Sequence, residues 1–372
     1  MRSKLKDTRW LVVKIGSSLV TNNGLGLDRA AIETWADQLV TLQAGGLKIV
    51  LVSSGAVAEG VSRLGMKHRP KEVHSQQAAA AVGQMGLVQA YENCFSRHGV
   101  HAAQILLSHE DLSNRKRYLN ARSTLLTLLD MAVVPVVNEN DTVATAELCF
   151  GDNDTLAALV ANLINADCML ILTDQDGLFD TDPRLQAGAR LITEAAVDDP
   201  ALVQMAGAGG ELGRGGMQTK VSAARLAARS GTCTVIANGK EPDVVNRILQ
   251  GEDLGTLLMP NQEPVAARKQ WLAGQLKLCG KLYLDAGAAE VLKKSGRSLL
   301  AVGVTAVEGQ FERGEVVACI APGGNEIARG LINYNHDEVE RIKGQSSKAI
   351  FQLLGYSGDN EIIHRDNMVI TG

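Results

Sequence analysis

Residues 1–260 alternate between short apolar runs and longer segments whose apolar residues recur at helical spacing. Short continuous apolar runs are typical of strands buried in a parallel sheet. The predicted strands are Trp10–Ile15, Lys48–Val52, His101–Leu107, Val133–Val137, Cys168–Leu172 and Cys233–Ala237. The predicted helices are Asp28–Ala44 with Asp28 as N-cap, His74–Arg97, Asn114–Asp130, Thr155–Leu163 and Met217–Arg229. This alternation predicts an α/β/α sandwich, in which helices cover both faces of a parallel sheet.

The pattern changes after residue 260. Residues 261–274 are polar and contain proline, which predicts a linker. Beyond it, glycines and turn residues separate short apolar runs, and this predicts a small, mostly β domain over residues 275–372. Its predicted strands are Lys277–Leu278, Leu282–Leu284, Leu300–Val307, Val316–Ile320 and Ile327–Leu331, with helices at Asp285–Lys294 and Asp337–Arg341.

Composition indicates an ordinary soluble protein. The chain has 372 residues, of which 45% are hydrophobic and 21% charged, which excludes general disorder. A net charge of −4 gives no electrostatic reason to bind nucleic acid or an anionic membrane tightly. The six cysteines form no Cys-x-x-Cys pair, so we expect reduced core cysteines and no protein metal site. Because no apolar run approaches the roughly 18 residues of a membrane span, we expect a cytoplasmic protein.

The densest polar cluster lies between the predicted strand Val133–Val137 and the helix that begins at Thr155. Asn138-Glu139-Asn140-Asp141 follows the strand, and Gly151-Asp152-Asn153-Asp154 precedes the helix. Ligands of open α/β sheets bind at this kind of position, beyond the carboxyl end of a strand. A solvated loop with an Asp N-cap explains the same residues, and the cluster alone does not decide between the two.

Three other segments favour an anionic ligand. Lys14 interrupts the first apolar strand, either as a surface lysine or as a cation aimed at a ligand beside Gly16-Ser17-Ser18. Ser53-Ser54-Gly55-Ala56 repeats that strand-to-turn arrangement. The glycine-rich segment Gly207–Gly216 leads into a helix that carries Lys220, which favours a phosphate-binding loop over a flexible surface loop.

These residues together predict phosphoryl transfer. The sequence shows neither a nucleophilic triad nor a spacing typical of metal ligands. Phosphoryl transfer needs mainly positioning and positive charge on the moving group. Lys14 and Lys220, held by a carboxylate such as Asp154, would supply that charge. Polar residues of the central cluster would suit the ammonium group of an amino-acid acceptor; they are Asn138, Asp141, Asp152 and Asn153.

Six motifs carry a resemblance to a known family. They are Val12–Ser18, Ser53–Ala56, Val137–Asp141, Gly151–Asp154, Leu172–Leu178 and Gly215–Lys220. They resemble the glutamate 5-kinase branch of the amino acid kinase family, and the tail from residue 275 resembles its C-terminal PUA domain. The resemblance therefore covers nearly the whole chain.

The resemblance implies ATP-dependent phosphorylation of the γ-carboxylate of L-glutamate to L-glutamyl 5-phosphate, the first step of proline biosynthesis. It implies that Lys14 and Lys220 stabilise the transferred group and that Asp154 orients them. It further implies Mg²⁺ with ATP, feedback inhibition by L-proline, and a homo-oligomer, either dimer or tetramer. The residues implied for glutamate are Ser54, Gly55, Asn138, Asp141, Asp152 and Asn153. Those implied for ATP are Lys14, Thr173, Asp174, Arg214, Gly215, Gly216, Met217, Gln218, Thr219 and Lys220.

Three alternatives remain open. One is a family member with another acceptor, such as acetylglutamate or a uridylate, which the free-ammonium cluster and the PUA tail disfavour. Another is an RNA-binding protein, but the tail is not strongly basic and the chain is 3% aromatic. A non-catalytic binding protein would not need both lysines.

The sequence departs from the family motif at Arg214, where the family often has a small hydroxyl residue.

Overall fold

The computed structural model describes residues 2–21, 24, 26–143, 153–183, 186, 188–206, 216–261, 278–356 and 358–371. The chain forms two compact units. The first comprises Met1–Leu112 and Arg122–Ala267, and the second comprises Ser113–Ala121 and Arg268–Gly372. The domain boundaries at residues 260 and 275 stay a prediction, because residues 262–277 lie outside the described part of the chain.

The first unit is built on an eight-stranded sheet of order β3-β4-β2-β1-β5-β7-β8-β6. The strands are β1 Trp10–Ile15, β2 Lys48–Ser53, β3 Ala102–Leu107, β4 Val134–Glu139, β5 Cys168–Thr173, β6 Glu194–Ala196, β7 Cys233–Asn238 and β8 Thr256–Met259. The predicted parallel arrangement is confirmed from β3 to β7. Beyond β7 it does not hold, since β8 runs antiparallel to β7 and β6 pairs with β8.

Helices flank this sheet. They are α1 Ser17–Val20, α2 Arg29–Ala44, α3 Ala56–Arg63, α4 Val73–Ser96, α5 His109–Ser113, α6 Arg115–Asp130, α7 Asn153–Ile164, α8 Ala201–Met205, α9 Met217–Ala227 and α10 Val244–Leu249. Asp28 caps α2 as predicted, and its side chain accepts a hydrogen bond from the Ala31 amide. None of the helices in the described ranges is long and apolar enough to span a membrane.

The alternation of side chains along β1 determines on which face of the sheet Lys14 lies. Val13 and Ile15 belong to the apolar core that includes Trp35 of α2 and Tyr91 of α4. Successive side chains of a strand point to opposite faces of the sheet, so Lys14 points to the other face. Helix α7 packs against β1, and α9 packs against α7. The lysine therefore enters the layer that α7 and α9 form.

The second unit has a five-stranded sheet of order β10-β9-β11-β12-β13. Strand β9 pairs in parallel with β11, and the other pairs are antiparallel. The strands are β9 Leu278–Leu284, β10 Val304–Gly309, β11 Val316–Ile320, β12 Glu326–Leu331 and β13 Met368–Ile370, and the helices are α11 Ala286–Ser295, α12 His336–Ile342 and α13 Ile350–Leu354. The small, mostly β domain is thus confirmed.

That unit differs from the prediction in several details, and the strands predicted separately at Leu278 and at Leu282–Leu284 form the single strand β9. The predicted strand Leu300–Val307 begins only at Val304, because Ala301–Gly303 forms a 3₁₀ turn. Strand β13 was not predicted, since three residues are too short to show an alternating pattern. Leu119, in the part of α6 that belongs to this unit, packs with Val316 and Leu331.

Candidate functional site

Predicted site residues that the structure describes gather at the edge of the sheet where β1, β2, β4 and β5 end. These strands are parallel neighbours, so their carboxyl ends share one edge, the usual ligand edge of an α/β sheet. Lys14 lies near the end of β1, Ser54 follows β2, Asn138 lies at the end of β4 and Thr173 ends β5. Asn153 and Asp154 open α7 beside them.

Asp154 joins the two lysines that were predicted to face the phosphoryl group. The Lys14 Nζ lies 2.5 Å from Asp154 Oδ1, and the Lys220 Nζ lies 2.9 Å from Asp154 Oδ2. Asp154 is 0% exposed and each lysine is 5% exposed. One buried carboxylate thus positions two buried ammonium groups that come from different elements, β1 and α9. We call Lys14, Asp154 and Lys220 the charge triad.

Electrostatics keep the carboxylate of the triad ionised. Burial alone would raise the pKa of Asp154, but the charges and hydrogen bonds of Lys14 and Lys220 outweigh it and hold that pKa below its ordinary value. The Thr219 hydroxyl lies 3.2 Å from Asp154 Oδ2 and 2.7 Å from the Gly216 carbonyl oxygen. Thr219 was predicted to contact ATP, which stays a prediction, and in this structure its hydroxyl hydrogen-bonds Asp154.

A second cluster joins three of the predicted glutamate residues. The Asn153 Nδ2 lies 2.7 Å from Ser54 Oγ, 3.1 Å from the Ser53 carbonyl oxygen and 2.9 Å from Asn138 Oδ1. The Asn138 Nδ2 in turn donates to Gln84 Oε1 at 2.8 Å. We call this chain of side-chain amides, Asn153 to Asn138 to Gln84, the amide relay.

The packing of α4 against α3 positions Gln84, the last residue of the amide relay. Gly55 precedes α3 with a φ of 111°, a left-handed conformation that favours glycine. Gly83 of α4 lies so close to α3 that an added Cβ would overlap the Ala56 carbonyl oxygen. Tyr91 of α4 hydrogen-bonds the Ser53 hydroxyl at 2.9 Å, and burial raises the pKa of this tyrosine. The close helix contact therefore holds α4 against the end of β2.

Asp141 lies in the turn after β4. Burial raises its pKa to about 6, the nearby Glu139 carboxylate adds to the shift, and Arg69 opposes it. A nearby positive charge stabilises the ionised form of a carboxyl group whose pKa is raised in this way. The group can therefore bind a cation such as an ammonium.

Apart from Lys14 on β1, the predicted ATP residues that the structure describes lie at the end of β5 and at the start of α9. The Thr173 hydroxyl donates to Asp174 Oδ1 at 3.2 Å, and Asp174 is exposed. Gly216 is the N-cap of α9, and Met217, Gln218 and Thr219 form its first turn. The N-terminus of a helix presents backbone N–H groups and a positive dipole end to anions.

Part of the predicted site lies outside the described residues. This applies to Asp152, to Arg214 and Gly215, and to the glycine-rich segment before them. Sequence reasoning missed Gln84 and Tyr91. Ala80, Gln84, Leu87 and Tyr91 lie on one buried face of α4, and a glutamine on such an apolar face is the signal that could have identified it.

Comparison with known proteins identifies the family. The model of the amino acid kinase family matches residues 9–238, more than half of the chain. The chain belongs to the amino acid kinase family. The PUA domain model matches residues 280–354, within the second unit. Both findings confirm the resemblance and the fold class that the sequence predicted.

Relatives match over their whole length. A glutamate 5-kinase of Chromohalobacter salexigens is 62% identical over 99% of this chain and 98% of its own. The glutamate 5-kinase of Thioalkalivibrio sulfidiphilus is 60% identical over 99% of both chains. The one of Nitrosospira multiformis is 61% identical over 100% of both.

Proposed function

We propose that this chain transfers the γ-phosphoryl group of ATP to the γ-carboxylate of L-glutamate, giving L-glutamyl 5-phosphate and ADP, as the first step of proline biosynthesis. The observation that carries the proposal is the charge triad, in which Asp154 holds Lys14 and Lys220 beside the amide relay. Relatives named glutamate 5-kinase, about as long as this chain, support glutamate as the acceptor.

The reaction asks little covalent chemistry of the protein. A γ-carboxylate has a pKa of about 4.3, so it is ionised at neutral pH and needs no general base. Its oxygen forms a bond to the γ-phosphorus while the bond to the bridging oxygen of ADP breaks. Lys14 and Lys220 stabilise the charge on the transferred group, and Asp154 acts through them as a positioning residue.

The two substrates approach the triad from different elements. We assign glutamate to the relay side, where Asn153 Oδ1 and the Asp141 carboxylate accept from its ammonium group. The further glutamate residues in this proposal are Ser54, Gly55, Asn138 and Asp152. We assign ATP to the β5 and α9 side, with Thr173, Asp174 and the segment Arg214–Lys220 around its phosphates. The N-terminus of α9 suits those phosphates.

Mg²⁺ enters this proposal as part of the MgATP substrate. The described residues contain no group of three His, Cys, Asp or Glu that could hold a metal ion. Mg²⁺ would be held mainly by the nucleotide phosphates and water, so it would not require a cluster of protein carboxylates. Its charge would neutralise part of the charge on the phosphates.

Three further properties belong to the proposal, of which the homo-oligomer and the inhibition by L-proline come from the family likeness. We propose a cytoplasmic homo-oligomer, either dimer or tetramer, that L-proline inhibits. Proline presents an α-carboxylate and an ammonium group as glutamate does, so the relay and Asp141 suit both. Competition between proline and glutamate in steady-state kinetics tests this overlap, and inhibition independent of glutamate concentration would contradict it.

One assay tests the activity. Purified protein with MgATP and L-glutamate should release ADP and form an acyl phosphate that hydroxylamine traps as the hydroxamate. N-acetyl-L-glutamate and UMP serve as alternative acceptors in parallel reactions. Turnover with either of these, and none with L-glutamate, would overturn the proposal.

A further inference from the structure

The hydrogen bonds of the amide relay all run in one direction, from Asn153 to Asn138 and from Asn138 to Gln84. The Ser53 carbonyl oxygen can only accept a hydrogen bond, so the Asn153 side chain must turn its Nδ2 toward it. Asn153 therefore donates to Asn138 Oδ1, which leaves the Asn138 Nδ2 facing Gln84 Oε1. Reversing Asn138 alone would set oxygen against oxygen and nitrogen against nitrogen. A backbone atom of β2 thus determines the orientation of all three amides.

Gln84 ends the relay in a buried position. Asn138 is 2% exposed and Gln84 is 8% exposed, so little water can replace a missing partner. A buried donor without an acceptor costs about 1–3 kcal/mol. If Gln84 Oε1 were removed, Asn138 would leave its Nδ2 unsatisfied or turn its amide away from Asn153. Either outcome disturbs the contact between Asn138 and Asn153.

The relay determines what Asn153 and Ser54 offer to a ligand. Because the Asn153 Nδ2 faces the relay, its Oδ1 points away from it, as an acceptor suited to an ammonium group. The Ser54 Oγ accepts from Asn153, so its hydroxyl hydrogen is directed elsewhere, as a donor suited to a carboxylate. An α-amino acid presents both groups on one carbon atom.

We infer that Gln84 is a positioning residue for the amino-acid substrate, which orients Asn153 through Asn138 so that the site recognises a free α-amino acid. Gln84 lies on α4, separated by 54 residues from Asn138 along the chain. It acts on the acceptor side and leaves the charge triad unchanged. This inference rests on the proposed function and identifies what makes its acceptor site selective.

Two substitutions at one position test the inference. Gln84→Met keeps the length of the side chain and removes its acceptor. We expect the KM for glutamate to rise about tenfold, equivalent to about 1.4 kcal/mol. The KM for ATP and the kcat at saturating glutamate should stay within about twofold, because the triad is untouched. Gln84→Glu retains an oxygen that accepts from Asn138, and it should return the KM for glutamate to within about twofold of the unchanged protein.

Gln89→Met is the matched control, since Gln89 is exposed on the same helix and hydrogen-bonds Asn93. Thermal unfolding establishes that each variant is folded. An unchanged KM for glutamate in Gln84→Met, or equal increases for glutamate and ATP, would overturn the inference. So would a Gln84→Glu protein as defective as Gln84→Met. If Gln84→Met does not fold, Gln84→Glu decides alone, and a glutamate KM raised more than fivefold overturns the inference. An unchanged protein that fails to phosphorylate glutamate refutes the proposed function instead.

Discussion

We expect substitutions of the two lysines in the charge triad to affect both the stability and the turnover of the protein. In Lys220→Met the side-chain methylenes remain, and Asp154 keeps the ammonium of Lys14 at 2.5 Å. The loss of one charge-assisted hydrogen bond, about 1.5–3 kcal/mol, is offset in part because one buried ammonium no longer has to be desolvated. We therefore expect Lys220→Met, and likewise Lys14→Met, to lower the free energy of unfolding by less than about 2 kcal/mol.

The double variant Lys14→Met/Lys220→Met behaves differently. It leaves Asp154, 0% exposed, without either cation, and an uncompensated buried charge costs about 3–5 kcal/mol. With the lysines gone, burial is the dominant influence, and it raises the pKa of Asp154 above its unfolded value. The double variant should therefore be most stable at acidic pH, below the unfolded pKa of Asp154. It should lose stability as the pH rises through the raised pKa of the folded state. In the unchanged protein the pKa is lowered, so Asp154 stabilises it above the unfolded pKa, and this stabilisation is lost as pH falls.

Measuring kcat separates the catalytic effect of the lysine charges from their effect on the stability of the fold. Each single variant should lose roughly 10²–10³ in kcat, because one donor to the charge of the transition state is gone. Urea unfolding at several pH values measures stability, and hydroxamate formation measures turnover. The reasoning fails if a single variant keeps kcat within threefold of the unchanged protein. It also fails if the double variant loses only the sum of the two single stability changes.

Three further predictions concern other parts of the first unit. With its pKa near 6, Asp141 should lose its charge below that pH, so the KM for glutamate should rise as pH falls from 7 to 5, and Asp141→Asn should raise the KM and remove this dependence. Gly83→Ala should destabilise the protein by at least about 1–3 kcal/mol in urea unfolding, because the added methyl overlaps the Ala56 carbonyl. Asp28→Ala should lower the melting temperature modestly, since losing an N-cap costs about 1 kcal/mol, without changing kcat.

Sequence reasoning reached the charge triad because its members lie in recognisable local patterns. Lys14 interrupts an apolar strand, Asp154 follows a polar loop into a helix, and Lys220 follows a glycine-rich segment. Parallel strands bring the end of β1 and the start of α7 to one edge of the sheet, so the fold class predicts that Lys14 and Asp154 are close. The contact of both lysines with one carboxylate is known only from the structure.

Other features depend on contacts that no local pattern contains. Gln84 enters the site because α4 packs against α3 at Gly83, a contact between segments that are distant along the chain. Strands β6 and β8, and with them the antiparallel pairing of β8 with β7, could not be predicted, since the two strands are three and four residues long. Such short strands have too few positions to show an alternating pattern.

Asn153 and Asp154 are consecutive residues, yet each belongs to a different network. Their Cα atoms are separated by one trans peptide, about 3.8 Å, a distance that side-chain rearrangement cannot change. In the proposed function, the place where the amino acid is held and the place where the phosphoryl group is stabilised are therefore linked by covalent geometry. We expect an acceptor of another length to be out of register with the lysines. The side-chain carboxylate of L-aspartate, one methylene shorter, should fall short of its position for attack by about 1 Å, a displacement that can cost about a hundredfold in rate. In that reaction, a single peptide bond helps to select the chain length of the acceptor.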